Sequence, residues 1–152
     1  MPRGNQLFYI THINNIPSIL QKGILSHSII ENQEIKYTQI YDKEIISNRK
    51  DVRITDNKDL WEYANLYFQP RNAMLYRVVH EQSPEKIAVL AIDKNVTQLP
   101  GVFVTNGNAA SLLSDIMPMT QQIYYRVINQ LKEVFDSVYW TDEDGSKRKI
   151  MA

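Results

Sequence analysis

The sequence predicts an α+β fold in a single domain. Segments with strand-like and helix-like patterns are interleaved along the chain, without the regular β-α-β alternation that builds a parallel sheet. The length of 152 residues corresponds to one domain. Hydrophobic residues make up 43% of the chain and charged residues 22%, so a hydrophobic core of ordinary size can form.

Four short runs rich in aliphatic, aromatic and β-branched residues predict strands. They cover residues 7–11, 87–92, 101–105 and 138–140. The second run is apolar throughout, which is typical of a buried strand. Turn-forming clusters at 106–107 and 142–145 follow the third and fourth runs.

Three segments carry helical signals. The first follows the opening strand, where Asn15 is expected to cap the helix, Pro17 lies in its first turn and Gly23 ends it. Residues 42–50 predict a second helix and residues 120–135 a third. The third helix has an apolar stripe made of Ile123, Val127, Leu131 and Val134.

The pattern leaves two segments open. Residues 26–40 mix isoleucine with polar residues and show no clean period. Residues 60–72 fit one face of a helix and one face of a strand equally well. Pro70 should end that element in either case.

Composition excludes several classes of function. Lys plus Arg and Asp plus Glu number 17 each, so the net charge is zero and any nucleic-acid contact must come from a local patch. Cysteine is absent, which excludes disulfides, thiolate metal sites and cysteine nucleophiles. With only three histidines, we expect no metal. The G-x-G-x-x-G, Walker A, G-x-S-x-G and H-E-x-x-H motifs are also absent.

The apolar runs point away from a membrane protein. All of them are far shorter than the roughly 18 residues of a membrane span. The first residues lack the apolar region of a signal peptide. We therefore expect a soluble, cytoplasmic protein without a membrane partner.

Two groups of residues suggest a site for an anionic ligand. His12 and Asn15 lie where the first strand runs into a helix, whose exposed amides attract phosphate. Alternatively, Asn15 only caps that helix and His12 is structural. Arg49, with Lys50 and Arg53 nearby, can grip a phosphate through its planar guanidinium. The alternative is a solvated helix end, where cations complement the dipole.

Two further stretches suggest contact with nucleic acid. Aromatic residues alternate with arginines between residues 63 and 77 and could provide faces for base stacking and cations for phosphates. Alternatively, those aromatic side chains are buried in a core strand. The basic run at 147–149 could follow a nucleic-acid backbone or form a solvated chain end.

The stretch N-L-Y-F-Q-P-R-N-A-M-L-Y at residues 65–76 resembles the Y-F-x-P-R-x-P-M-L-Y block of the DarT family, the DNA ADP-ribosyltransferase toxins of DarTG toxin–antitoxin systems. Ala73 replaces the second proline of that block. Three more segments resemble the family's H-I-x-N-L, its helix ending in Arg, and its F-T-D-G-N-A block, and the resemblance covers nearly the whole chain. They are H-I-N-N-I at 12–16, E-I-I-S-N-R at 44–49 and F-V-T-N-G-N-A-A at 103–110.

The resemblance implies an ADP-ribosyltransferase-like core, with two small sheets around a cleft that binds NAD+ as substrate and needs no metal. The residues expected to bind NAD+ are His12, Asn15, Ile16 and Arg49, and Arg49 is also the expected catalytic residue. The residues expected to contact single-stranded DNA are Tyr67, Arg71, Met74 and Tyr76. The resemblance further implies a thymine or guanine base as acceptor and a DarG-type macrodomain antitoxin as partner.

The C-terminal segment departs from the family pattern. The family's catalytic Glu follows a basic helix of R-x-x-A-E type, and K-R-K-I-M-A at 147–152 resembles that approach without a Glu after it. Either that Glu is the residue after Ala152, or Ala152 replaces it. The resemblance therefore implies a single domain over 1–152 that lacks the C-terminal strand after residue 152. It also implies that this chain by itself is inactive.

Two other functions stay open on the sequence. One is another ADP-ribosyltransferase-like enzyme, such as an RNA 2′-phosphotransferase, which needs an additional Arg/His set for the 2′-phosphate. The other is a nucleic-acid-binding module that binds oligonucleotides without NAD+. Binding of NAD+ alone separates this module from the transferases.

Overall fold

The computed structural model describes residues 6–41, 48–111, 114–136, 139–141 and 147–149. The strands are β1 (Gln6–His12), β2 (Arg53–Thr55), β3 (Lys58–Asp59), β4 (Ile87–Asp93), β5 (Phe103–Thr105), β6 (Ile116–Pro118), β7 (Tyr139–Thr141) and β8 (Lys147–Lys149). The α-helices are α1 (Ile16–Lys22), α2 (His27–Asn32), α3 (Ala73–Glu81) and α4 (Gln121–Asp136). Short 3₁₀ turns cover Ile13–Asn15, Asn48–Asp51, Leu60–Glu62, Pro84–Lys86 and Lys94–Gln98.

The described strands form four antiparallel pairs, namely β1–β4, β2–β3, β5–β6 and β7–β8. Helices and small antiparallel sheets together confirm the α+β class. The sequence predicted two small sheets, whereas the described residues form four two-stranded ladders. Most of these strands have only two or three residues, so each of them offers only a short edge for pairing with another strand.

Strand β1 is paired on both of its edges. On one edge it pairs with β4 over seven positions, from Gln6 opposite Asp93 to His12 opposite Ile87. On the other edge, the Phe8 amide donates to the Tyr67 carbonyl at 2.7 Å and the Tyr67 amide donates to the Phe8 carbonyl at 2.8 Å. The chain around Tyr67 is therefore extended backbone held against β1.

This contact decides the segment that the pattern left open. Residues 60–72 are neither one helix nor one strand. The segment begins with the 3₁₀ turn Leu60–Glu62, makes its bridge to β1 at Tyr67, and leads into α3. Asn72 caps α3, because its side-chain oxygen accepts the Leu75 amide at 2.9 Å.

The core lies between β1, α3 and the segment that ends at residue 41. Ile10 and Val78 are only 1% and 2% exposed, and Ile40 completes the buried cluster. Five partly buried side chains pack against this cluster: Tyr41, Tyr67, Met74, Leu75 and Ile87. Exposure alternates along β4, with Val89 40% exposed, so the strand is confirmed but its predicted burial is wrong: one face is partly buried and the other is exposed.

Helix α1 ends as the sequence predicts but begins differently. Gly23 ends it as predicted, with a φ of +87° that favours glycine and an amide that donates to the Ile19 carbonyl at 2.8 Å. The predicted cap at Asn15 is wrong. A 3₁₀ turn already precedes α1, so Asn15 has helical backbone angles and its side chain makes no capping bond.

The Asn15 side chain instead joins two distant parts of the chain. Its amide nitrogen donates to Thr11 Oγ1 at 3.1 Å and to the Thr38 carbonyl at 2.8 Å. Its amide oxygen accepts the Thr38 amide at 2.8 Å. Because Asn15 is buried, these bonds hold the backbone at Thr38 beside the end of β1.

Several predictions lie wholly or partly outside the described residues. Of the helix predicted over 42–50, residues 42–47 lie outside, and the rest is the 3₁₀ turn Asn48–Asp51. The turn predicted at 142–145 also lies outside. The basic run 147–149 forms β8, which pairs with β7, so here it is extended and not the basic helix of the family pattern.

Helix α4 confirms the helix predicted over 120–135, and Val127 of its stripe is buried. The side chains of Leu131 and Val134 lie outside the described residues. At 16 residues α4 is the longest described helix. Within the described ranges, none of the helices has both the length and the apolar character needed to cross a membrane.

We expect Asn15→Ala to lower the free energy of unfolding by about 2 kcal/mol, because it leaves the partly buried amide and carbonyl of Thr38 without these partners. Urea unfolding measures the change. The matched control is Asn14→Ala at the exposed neighbouring position, which should stay within about 0.5 kcal/mol of the wild type. Equal losses for the two variants would contradict the role given to the Asn15–Thr38 link.

Candidate active site

A cleft opens beside β1 between α2 and two further segments, residues 37–41 and 63–67. Its volume, with the open mouth included, is about 550 Å³. Small-molecule sites combine an apolar lining with a few polar groups. The walls of this cleft have that character, since aliphatic and aromatic side chains surround one arginine.

Arg49 brings the positive charge into this cleft. It lies in the 3₁₀ turn Asn48–Asp51 and is partly buried. Its guanidinium carbon lies 5.7 Å from the centre of the Tyr41 ring, a distance at which cation and ring attract each other. Among the described residues that line the cleft, none carries a carboxylate that could pair with Arg49.

Three tyrosines surround Arg49. Burial raises the pKa of Tyr9, Tyr41 and Tyr67 above the usual value of 10.0. The positive charge of Arg49 lowers each of these pKa values without outweighing burial. The phenols therefore stay neutral at physiological pH, and the cleft offers one cation together with hydroxyl groups. Such a set suits an anion with polar substituents, such as a pyrophosphate.

His12, predicted to bind NAD+, is buried at the end of β1 but is not among the described residues that line the cleft. Its Nδ1 accepts the Asn14 amide at 3.1 Å and so caps the 3₁₀ turn Ile13–Asn15. Ile16, at the start of α1, is also absent from that lining. Ligand contact by His12 and Ile16 stays a prediction.

Asn15 does line the cleft. Both its amide nitrogen and its amide oxygen already bond within the protein, to Thr11 and Thr38. Thr38 lies in the 37–41 segment that forms one wall. Asn15 therefore sets the position of this wall, and direct ligand contact by its side chain stays a prediction.

The four residues expected to contact DNA fall into two pairs. Tyr67 and Met74 pack against the core, where the Tyr67 hydroxyl donates to Met74 Sδ at 2.7 Å. Arg71 and Tyr76 are exposed, and the Tyr76 ring packs 4.1 Å from the ring of His80 on α3. Arg71 and Tyr76 are thus the exposed pair, whereas Tyr67 lines the cleft, and DNA contact by all four stays a prediction.

Sequence reasoning missed several residues of the cleft, among them Tyr41 and His27. Residues 26–40 show no clean period, so the sequence assigned His27 to no element, and Tyr41 adjoins the same stretch. Tyr41 reaches the cleft with residues 37–41, which the Asn15–Thr38 bonds hold beside the end of β1, whereas His27 reaches it as the first residue of α2. The one available signal was an aromatic residue next to the predicted helix that contains Arg49, and that signal is weak.

The ring of His27 is neutral over most of the pH range. Burial, then the positive charge of Arg49, lower the pKa of His27 to about 4. An unfolded chain takes up this proton near pH 6.5, the ordinary value for histidine. Between these two values the unfolded state binds more protons, so lowering the pH destabilises the fold through this group.

We expect His27→Phe to reduce the loss of stability on acidification, because the variant has no group that protonates only on unfolding. The measurement is the urea midpoint at pH 7 and at pH 4.5 for both proteins. The midpoint of the wild type should fall further than that of the variant. A parallel fall would mean that His27 titrates near its ordinary pKa in the folded state.

Residues 8–152 match the model of a family described as ssDNA thymidine ADP-ribosyltransferase, DarT. The chain is 47% identical over 152 residues to a DNA ADP-ribosyl transferase–DNA ADP-ribosyl glycohydrolase fusion protein of Thermosipho africanus (strain H17ap60334). The match covers 99% of this chain and 38% of that protein, so the chain spans well under half of its relative's length. A DNA ADP-ribosyl transferase of Thermus sp. (strain 2.9) is 25% identical over 163 residues, which cover 99% of this chain and 74% of that one.

Two solved structures share the fold. One is Thermosipho africanus DarTG in complex with ADP-ribose, with a TM-score of 0.82 and 46% identity over 96% of this chain and 38% of that chain. The other is Thermus sp. 2.9 DarT in complex with ADP-ribosylated ssDNA, with a TM-score of 0.72 and 25% identity over 93% and 69%. The family match, the sequence identities and the shared fold all run over nearly the whole chain, and the span includes β1, Arg49 and the block at 65–76. The resemblance seen in the sequence is thus confirmed, and the chain belongs to the DarT family.

Proposed function

We propose that this chain transfers ADP-ribose from NAD+ to a thymine base of single-stranded DNA. The observation that carries the proposal is Arg49, a cation held against the Tyr41 ring in a cleft whose described lining has no carboxylate. The family description specifies thymidine as the acceptor, and the Thermus relative was solved with ADP-ribosylated ssDNA. Guanine is the alternative acceptor that an experiment must exclude.

NAD+ occupies the cleft with its pyrophosphate at Arg49. A guanidinium can make two parallel hydrogen bonds to phosphate oxygens, and no described acidic side chain in the cleft competes for it. Asn15 contributes by holding the wall at Thr38. His12 and Ile16 contribute through the backbone at the end of β1. The ADP-ribose bound to the Thermosipho relative supports a dinucleotide ligand of this kind.

The transfer exchanges one bond to the ribose carbon C1′ for another. The bond from C1′ to the nicotinamide nitrogen breaks, and its electron pair leaves with neutral nicotinamide. A nitrogen of the thymine ring forms the new bond to C1′ and releases its proton to water. Positive charge develops on the ribose during this exchange, so a fixed pose of the pyrophosphate at Arg49 lowers the barrier by orientation.

The acceptor is single-stranded because the ring nitrogen of thymine is hidden in a base pair, and extrusion from a duplex costs a few kcal/mol. Arg71 and Tyr76 provide an exposed cation and an exposed ring at the start of α3. Tyr67 and Met74, which a hydrogen bond joins, support the DNA site from the side of the core. The net charge of zero agrees with DNA binding through only a few positively charged side chains.

The relative from Thermosipho joins its transferase to a DNA ADP-ribosyl glycohydrolase in one protein. A paired activity of this kind fits a toxin whose modification is removed by an antitoxin. We therefore assign to this chain a DarG-type macrodomain partner and a cytoplasmic location, where NAD+ and DNA are both present.

We expect Arg49→Ala to weaken NAD+ binding and, in a longer chain that carries the family's catalytic Glu, to lower kcat for transfer by about 10²-fold or more, as loss of a fixed substrate pose does. Calorimetry measures binding, and mass spectrometry of a thymidine-containing oligonucleotide measures transfer. The prediction that the 152 residues alone are inactive stays untested, so binding is the primary readout.

The matched control for Arg49 is Arg126→Ala, which removes an exposed cation from α4, outside the described lining of the cleft. It should bind NAD+ as the wild type does. Arg49→Lys should recover only part of the lost affinity, because an ammonium cannot make the paired bonds. Unchanged affinity in Arg49→Ala would refute the assignment of the pyrophosphate site.

We expect Arg71→Ala to weaken binding of a fluorescent single-stranded oligonucleotide and to flatten its salt dependence, because one phosphate contact is lost. The matched control is Arg77→Ala on the same stretch, since Arg77 already pairs with Glu81 at 2.6 Å. Duplex DNA should bind more weakly than the single strand. Equal effects of the two substitutions, or equal affinity for duplex, would move the DNA site elsewhere.

A further inference from the structure

His27 is the first residue of α2 and lines the cleft, yet nothing in the function proposed so far uses it. Its Nδ1 is buried and has no hydrogen-bond partner among the described residues. Among the described residues, it is the one buried side-chain nitrogen or oxygen that has no hydrogen-bond partner. A buried polar atom without a partner costs about 1–3 kcal/mol, so its presence in a cleft calls for a functional explanation.

The ring of His27 is held firmly by its neighbours. It stacks on Trp61 with ring centres 4.4 Å apart and planes 20° from parallel. The Trp61 indole nitrogen donates to Glu31 Oε2 at 3.0 Å, which fixes the plane of the indole. The Tyr37 ring lies 6.1 Å away in a tilted arrangement.

Lys50 completes this support. Its ammonium lies 4.5 Å from the centre of the Trp61 ring and 3.4 Å from Glu31 Oε1. Glu31 thus bonds both Trp61 and Lys50. The contacts orient the imidazole through its faces and leave Nδ1 at its edge without a partner. A side chain held in place by packing, with an unused polar atom, is pre-organised for a ligand.

We propose that His27 is a specificity-determining residue of the NAD+ site, whose Nδ1 accepts a hydrogen bond from an N–H or O–H group of the dinucleotide. The inference rests on the proposed function. NAD+ carries such donors in the nicotinamide carboxamide, in the adenine amine and in both riboses. Arg49 holds the anionic part of the ligand, and His27 reads an uncharged donor elsewhere in the same cleft.

The test compares variants of the 152-residue chain by calorimetry with NAD+ and with ADP-ribose. His27→Phe keeps a ring for stacking on Trp61 and removes both nitrogens. We expect it to bind NAD+ about tenfold more weakly, the effect of one lost hydrogen bond. We also expect its thermal midpoint without ligand to be equal or higher, because the unpartnered buried nitrogen is gone.

A purely structural histidine gives the opposite pattern, a lower midpoint with unchanged affinity, and that result overturns the proposal. His27→Asn, which keeps a polar atom near the position of Nδ1, should recover part of the affinity and provides a second variant if His27→Phe folds poorly. Loss of affinity for NAD+ alone assigns the contact to the nicotinamide half. Loss for both ligands assigns it to the ADP-ribose part.

The control is His80→Phe, which replaces an exposed histidine on α3 outside the described lining of the cleft and should leave NAD+ affinity unchanged. Equal affinity of wild type and His27→Phe overturns this inference alone, with the proposed function intact. A wild-type chain that binds neither NAD+ nor ADP-ribose overturns the proposed function and this inference together.

Discussion

The pairing of β1 on both edges is the constraint on which the rest of the structure depends. Its seven-position ladder with β4 fixes the strand, and the two hydrogen bonds between Phe8 and Tyr67 bring a segment almost sixty residues away against its other edge. Tyr9, Ile10 and Thr11 then line one wall of the cleft. Two further walls, residues 63–67 and 37–41, are attached to this strand or to its end through Tyr67 and Asn15.

The side-chain amide of Asn15 makes the second connection that positions a wall of the cleft. It connects the end of β1 to Thr38 by two bonds of 2.8 Å, and so carries residues 37–41 to the cleft. Together with the packing of Tyr41 against the buried cluster, that link fixes Tyr41 beside Arg49. The shape of the cleft therefore depends on a polar side chain whose amide nitrogen and oxygen both bond within the protein, and direct ligand contact by Asn15 stays a prediction.

Burial determines which groups of the cleft are charged and which are neutral. Desolvation keeps the phenols of Tyr41 and Tyr67 and the imidazole of His27 uncharged, so the guanidinium of Arg49 stands among neutral polar groups. A positive charge without a described carboxylate in its cleft attracts an anion far more strongly than one already paired. The same burial leaves His27 Nδ1 without a partner, and this cost to the fold is recovered when a ligand binds.

Local pattern by itself determined the α+β class, the strands at 7–11 and 87–92, the end of α1 at Gly23 and the helix over 120–135. It also determined the family, because the block at 65–76 keeps its residues in order. These features depend on neighbours in sequence, whose periodicity and turn chemistry can be read directly. Only the tertiary structure decided that Asn15 bonds Thr38 rather than capping α1, that residues 60–72 form a turn and a bridge, and that His27 and Tyr41 meet Arg49. Those outcomes depend on the two edges of β1 and on which distant segment each one pairs with, a choice that no periodicity within a short window records.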